Sequence, residues 1–249
     1  CTIGFTGYYC ETRLPSSLRP QTDPCAVNPC RNGGSCKTDY SNMMNYSCEC
    51  PLGFAGASCQ MHLDLLQSVG FNGNGYLELP AALVSYEDLD QEPAIIALAF
   101  HTTQNGMLLY QREALAIADR GDYIMIRIER GFVVLEWDMG SGTTRLTIDD
   151  KDGFVTDGER HQVIVRLLSD NKVELTVDSN TVRGFTTGIS NLMNADSNIY
   201  IGGMPDGLNL NQYPGLIGCI EQIEFMDAPR GLNLGTSAVA GRNTQRCKK

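Results

Sequence analysis

The chain has 249 residues, ten cysteines, three histidines, one tryptophan and 29 acidic against 19 basic residues, a formal charge of −10. With 42% apolar and 19% charged residues the composition is globular, and the length allows one or two domains with a sizeable core. The acidic balance excludes a sequence-independent grip on nucleic acid, which needs a dense basic face, and no run of about 18 uncharged apolar residues is present to span a membrane. The even cysteine count points to an oxidising, extracellular compartment. The chain opens on Cys1 without a basic-then-apolar leader, and we expect a fragment of a larger secreted protein.

Composition changes near residue 60. Eight of the ten cysteines lie at or before Cys59, the others being Cys219 and Cys247. Residues 1–59 carry four basic and four acidic groups, so the remaining 15 basic and 25 acidic groups, and all of the net charge, lie beyond. This reads as a small disulfide-held head joined to a large body with a core of its own. The head contains a repeat: Cys1-Thr-Ile-Gly4-Phe5-Thr-Gly7-Tyr-Tyr-Cys10 matches Cys50-Pro-Leu-Gly53-Phe54-Ala-Gly56-Ala-Ser-Cys59, with Gly, Phe and Gly at the same offsets. Glycine permits the turns, and the Phe gives a module with little core something to bury. Cys25, Cys30, Cys36 and Cys48 precede Cys50, and six cysteines permit fifteen pairings, among which spacing alone does not choose.

The whole cysteine pattern, with Asn32-Gly33-Gly34 before Cys36 and Cys48-Glu49-Cys50, resembles an EGF-like module. The resemblance implies the pairs Cys25–Cys36, Cys30–Cys48 and Cys50–Cys59, with Cys1–Cys10 as the last bridge of a preceding module. It also matches Ser35 to an O-fucose acceptor, whereas Val27 stands where O-glucose needs Ser. Calcium-binding modules of this kind carry acidic residues just before their first cysteine; here only Asp23 stands before Cys25, so no calcium is expected in the head. Asn45-Tyr46-Ser47 is the one N-glycosylation sequon, with Asn45 the acceptor.

From residue 70 onward, strand signals recur. Tyr123–Ile128 and Phe132–Trp137 flank Glu129-Arg130-Gly131 and predict a hairpin. Val163, Val165 and Leu167 share one face, and Val173, Leu175 and Val177 another, across the polar turn Ser169-Asp170-Asn171-Lys172. Ile199-Tyr200-Ile201 ends at Gly202-Gly203. Many short strands without a capped helical period predict an all-β chain whose body is a β-sandwich.

Four motifs then converge: Asp157-Gly158-Glu159-Arg160-His161-Gln162-Val163, Leu175-Thr176-Val177-Asp178, Ile199-Tyr200-Ile201-Gly202-Gly203 and Gly215-Leu216-Ile217-Gly218-Cys219. They resemble successive signatures of a laminin-G-like domain, although that family usually has an aromatic residue where Arg160 stands. The resemblance implies a jelly-roll sandwich closed by Cys219–Cys247, a bridge worth roughly 3–4 kcal/mol. Narrower motifs, Gly121-Asp122-Tyr123-Ile124, Met139-Gly140-Ser141-Gly142 and Ala240 to Cys247, resemble the last laminin-G-like domain of basement-membrane proteoglycans. Only Lys248-Lys249 follow Cys247, and we expect the parent's C-terminus there. The expected divisions are a module remnant at 1–11, a linker at 12–24, an EGF-like domain at 25–60, a short linker at 61–69 and a laminin-G-like domain at 70–249. Within the short linker, Leu63, Leu65 and Leu66 either dock head onto body or lead into the first strand.

No catalytic constellation is present. His62, His101 and His161 stand far apart, no HExxH exists, no Ser has the glycines of a nucleophile elbow, and no phosphate loop appears. By family resemblance the body binds calcium through the Asp122 side chain, the Met139 carbonyl, the Leu192 carbonyl and the Asn194 side chain, a mixed oxygen set of the kind extracellular calcium takes. One carboxylate implies weak affinity, about 10⁻⁴–10⁻³ M. Arg120-Gly121-Asp122 is a tripeptide of integrin-binding type, but a carboxylate that coordinates its own domain's metal cannot also reach an integrin's. The resemblance implies a secreted, non-enzymatic adhesion module of extracellular matrix and basement membrane, with integrin- or dystroglycan-class receptors or other matrix proteins as partners. The alternative is the ectodomain of a signalling ligand or receptor with similar repeats. Apart from Arg242, Arg246, Lys248 and Lys249 no close basic grouping exists, so heparin binding is expected to be weak at best.

Overall fold

The computed structural model describes residues 5–6, 8–13, 23–39, 45–64, 68–87, 89, 92–114, 121–150, 153–186, 193–205, 213–225 and 232–247. The head has three two-stranded ladders: β1 (Phe5–Thr6) with β2 (Thr12–Arg13), β3 (Ser35–Thr38) with β4 (Tyr46–Glu49), and β5 (Phe54–Ala55) with β6 (Met61–His62). Covalent bonds do what a core cannot do at this size. The bridges are Cys25–Cys36, Cys30–Cys48 and Cys50–Cys59. Cys10 is disulfide-bonded, and its expected partner Cys1 lies outside the described residues. Met61 and His62, in the segment expected as linker, complete the head's last ladder.

The body strands are β7 (Val69–Asn72), β8 (Tyr76–Leu79), β9 (Ala94–Thr102), β10 (Gly106–Arg112), β11 (Tyr123–Glu129), β12 (Phe132–Asp138) and β13 (Thr144–Thr147). They continue with β14 (His161–Leu167), β15 (Lys172–Val177), β16 (Asn180–Phe185), β17 (Ile199–Ile201), β18 (Ile217–Phe225) and β19 (Ala240–Arg242). Two antiparallel sheets result, in the orders β13-β12-β11-β10-β17-β8-β19 and β16-β15-β14-β9-β18-β7. Among the described residues the one α-helix is the single turn Leu234–Ser237, and none is long and apolar enough to cross a membrane.

The predicted hairpin closes on Arg130-Gly131, both at positive φ (54° and 86°), the backbone of a two-residue turn whose twist suits flanking strands. Val163, Val165 and Leu167 of β14 and Val173, Leu175 and Val177 of β15 all point inward, as their alternation requires. They meet Ile124, Ile126, Val133, Leu135 and Trp137 of the other sheet in one continuous core. Each such fully buried side chain stabilises the sandwich by about 1.5–3 kcal/mol. The Trp137 indole donates to Thr186 Oγ1 at 2.9 Å, so its one polar atom is satisfied.

Head and body are joined by more than a linker. Leu63 and Ala55 of the head are buried in the sandwich core, and Leu52 packs against it. The backbone N–H of Cys50 donates to Asn243 Oδ1 and the N–H of Asn243 donates to the Cys50 carbonyl, both at 2.9 Å. Asn243 Nδ2 also donates to the Asn74 carbonyl at 3.1 Å, and Arg242 Nη1 donates to Glu49 Oε2 at 2.9 Å. Gly75 makes room for this contact: a Cβ there would lie 2.6 Å from the Asn243 carbonyl oxygen. Asn243 itself has φ 52°, a conformation Asn tolerates better than other side chains. Asn243→Gly removes the side-chain bonds without straining the backbone. It is expected to cost about 1–3 kcal/mol, with head and body still unfolding in one denaturant transition; two separated transitions in the unsubstituted chain would contradict the joint.

A second polar device pins the end of β14. His161 is nearly buried, with Nδ1 2.8 Å from Asp178 Oδ2 and Nε2 2.9 Å from Asp157 Oδ1. Both nitrogens face carboxylates, so the imidazolium fits and the neutral ring does not. Burial opposes the charge, but the hydrogen bonds and charges of Asp178 and Asp157 outweigh it and raise the His161 pKa above its ordinary value of 6.5. The His161 hydrogen bond in turn lowers the pKa of Asp157. Because the folded pKa is raised, the histidine's contribution is fully present below about pH 6.5 and is lost as pH rises through the folded value. Asp157 contributes above its unfolded value near 3.8 and loses that contribution as pH falls through its lowered one. Urea midpoints measured from about pH 6 to 8 are therefore expected to decline, and His161→Gln to flatten that decline.

Candidate functional site

At one end of the sandwich three segments meet: the residue before β11, the turn after β12 and the approach to β17. Asp122 stands at the first. Its carbonyl accepts the Glu113 N–H at 2.8 Å, closing the β10–β11 ladder, and the residue is 5% exposed. Asp122 Oδ2 accepts from both the backbone N–H and the side-chain Nδ2 of Asn194, at 2.7 and 3.0 Å. Two of the four residues expected around calcium, 72 positions apart in sequence, are thus in contact. Oδ1 lies toward the turn after β12, where a Cβ on Gly140 would be 3.4 Å away. Gly140 has φ 80° and follows Met139, whose side chain is buried against Thr186. Leu192, the fourth expected ligand, lies outside the described residues.

The turn that carries Met139 is shaped by Asp138, which sequence reading did not single out. Asp138 Oδ1 accepts from the N–H groups of Gly140 and Gly142, at 2.8 and 3.1 Å. The available signal was an Asp two residues before a Gly at a strand end, the pattern of an Asx turn. Beyond Asn194, Asp196 Oδ1 accepts the Ala114 N–H at 2.7 Å and ties the β17 approach to the end of β10. Among the described residues no group of three or more His, Cys, Asp or Glu side chains gathers in metal-ligand fashion. Of the expected donors, the described residues bring together one carboxylate, that of Asp122, and one amide, that of Asn194. The donor set fits a weakly held hard cation: Asp122 is a nearly buried carboxylate with no ion-pair partner among the described residues, and turning the Asn194 amide about its last bond presents oxygen in place of nitrogen.

The other sequence-derived positions are dispersed. Arg120 of the Arg120-Gly121-Asp122 tripeptide lies outside the described residues, while the Asp122 carboxylate is turned inward to Asn194. Asn45 is exposed on the head, and its carbonyl accepts the Asp39 N–H at 3.0 Å. Ser35 is exposed as well, with Oγ 3.3 Å from Glu49 Oε2. The bridge Cys219–Cys247 joins β18 to the segment after β19. Arg160, the departure from the family motif, projects outward and donates through Nε to Glu221 at 3.0 Å.

The family model for the laminin G domain matches residues 100–228, and that for the EGF-like domain matches residues 25–58. The basement membrane proteoglycan of Caenorhabditis elegans is 29% identical over 93% of the chain. The basement membrane-specific heparan sulfate proteoglycan core protein of Mus musculus is 30% identical over 99% of it. The chain spans 7% of the length of each of these relatives. Pikachurin of Bos taurus is 29% identical over 90% of the chain, which spans 22% of that protein. Domains LG4-5 of the mouse laminin alpha1 chain superpose with a TM-score of 0.60 at 19% identity, over 73% of this chain and 46% of that one, and share the fold. Disulfide-held modules of these two kinds are those of an extracellular chain, in keeping with the basement-membrane relatives. The chain belongs to the laminin G domain family and carries an EGF-like domain on the N-terminal side of its sandwich.

Proposed function

We propose that the chain is a non-catalytic adhesion module of the extracellular matrix, whose sandwich edge is stiffened by calcium and presented to cell-surface receptors of the integrin or dystroglycan class or to other matrix proteins. The observation that carries this reading is Asp122, a residue 5% exposed whose carboxylate is neutralised by no cation among the described residues. Hydrogen bonds from Asn194 solvate this carboxylate without neutralising it, and a hard cation would neutralise it where amide and carbonyl oxygens complete its shell. Asp122 and Asn194 would hold the ion by side chain, Met139 and Leu192 by backbone carbonyl. Bound calcium would supply fixed positive charge at an edge of an otherwise acidic body, which is what an acidic partner group recognises. Asp138 would act indirectly, by fixing the turn that offers Met139.

Integrin recognition through Arg120-Gly121-Asp122 is not part of this reading, because the same carboxylate serves the domain itself. Heparin binding is expected to be weak, since all of the net charge of −10 belongs to residues 60–249.

Calcium is expected to raise the melting temperature, with stabilisation of about 2.7 kcal/mol at a hundredfold excess over Kd. Asp122→Ala should abolish the rise and the heat of binding, and Asp138→Ala should weaken both without abolishing them. Absence of any calcium effect on the unsubstituted chain would sink the metal reading. For the partner, receptor ectodomains are screened against the chain in calcium and in chelator. Binding that appears only in calcium and is lost in Asp122→Ala is the expected result, and calcium-independent binding would refute the role given to this edge.

A further inference from the structure

The head hairpin turns a particular face to the sandwich. Residues directly opposite one another in an antiparallel ladder share a face, and successive pairs alternate. Ser35 pairs with Glu49 and Lys37 with Ser47, so these four share one face, while Cys36, Cys48, Thr38 and Tyr46 take the other. The first face looks at the body, because Glu49 accepts from Arg242 Nη1 at 2.9 Å while also pairing with Lys37. Between this face and the sandwich lies a cleft of about 540 Å³, with Lys37 and Ser47 on the head wall and Asn72, Asn74, Tyr76 and Tyr213 on the body wall.

Ser47 is also the third residue of the sequon Asn45-Tyr46-Ser47. Asn45 continues the hairpin ladder, its carbonyl accepting the Asp39 N–H at 3.0 Å, so its exposed side chain follows the face of Ser47, one alternation of about 6–7 Å along the strand. The acceptor amide therefore shares the hairpin face on which its own sequon serine walls the cleft. That wall chemistry suits an N-acetylated hexose. Asparagine amides and a hydroxyl can bond ring hydroxyls and an acetamido group, and tyrosine rings can cover the apolar face of a sugar ring.

We propose that the core N-acetylglucosamine units of a glycan on Asn45 seat in this cleft and form a further tie between head and sandwich. Attachment is ordinary N-glycosylation: Asn45 Nδ2 bonds the anomeric carbon of a lipid-linked oligosaccharide, the lipid pyrophosphate leaves, and the amide gives up one proton. The seating explains why a polar cleft persists beside a tight joint. It also separates the modification from the candidate metal edge at the far end of the strands.

The test uses the full chain secreted from a host that N-glycosylates. Intact mass is expected to show Asn45 occupied. Hydrogen–deuterium exchange should then be slower across residues 72–76 and 213–215 than in the unglycosylated Asn45→Gln chain. An Asn72→Ala/Asn74→Ala variant keeps the sequon, and its glycosylated form is expected to lose that protection. An unmodified Asn45, protection confined to the head hairpin, equal exchange with and without the glycan, or undiminished protection in the double variant would each overturn the proposal.

Discussion

The segment from Ala240 to Cys247 is the clasp on which the arrangement depends. It adds β19 to the seven-stranded sheet beside β8, then turns at Asn243 to bond the backbone of Cys50 in the head. Two residues later Gln245 and Gly70 exchange backbone hydrogen bonds in both directions, at 2.8 and 2.9 Å. Cys247 then bonds covalently to Cys219 of β18 in the other sheet. One short stretch thus contacts both sheets and the head. The need for it is physical: a head of this size has almost no core, and Leu63 and Ala55 complete theirs by entering that of the sandwich.

This clasp sets where function can lie. Tyr76 pairs with Arg242 at one end of β8, and Leu109, Tyr110, Tyr200 and Ile201 carry the register across to β10, whose far end leads to Asp122. Head and candidate metal edge therefore lie at opposite ends of the strands, roughly 20 Å apart for six or seven residues. The outer face of the seven-stranded sheet is closed differently: Met107, Tyr110 and Met125 are buried beneath Met204 and Tyr213. Arg127 lies 4.8 Å from the Tyr213 ring centroid and pairs with Glu129 and Glu136. Part of the acidic excess thus serves to hold a nearly buried arginine in place.

Much of this was legible in the sequence, for identifiable reasons. Alternation at Val163–Leu167 and Val173–Val177 and the turn at Arg130-Gly131 are local signals, and local signals give strands and hairpins. The disulfide pairing was not local; it came from resemblance, since spacing alone allowed fifteen arrangements. The contact between Asp122 and Asn194 likewise needed a family pattern, because 72 residues separate them. What could not be read was the joint. Glu49 and Arg242 are 193 residues apart, and polar pairs at that separation leave no periodicity. Arg242 was visible only as one of a basic group near the C-terminus. His161 was quoted as part of a motif, yet its two carboxylate partners come together only when the ends of β14 and β15 meet.

Head and sandwich thus form one body, with the candidate metal edge at its free end. Backbone ¹⁵N relaxation of the full chain tests it most directly. The account predicts one rotational correlation time and one diffusion tensor for the amides of residues 45–64 and those of the sandwich. A distinctly shorter correlation time for the head amides, with the sandwich unchanged, would contradict it.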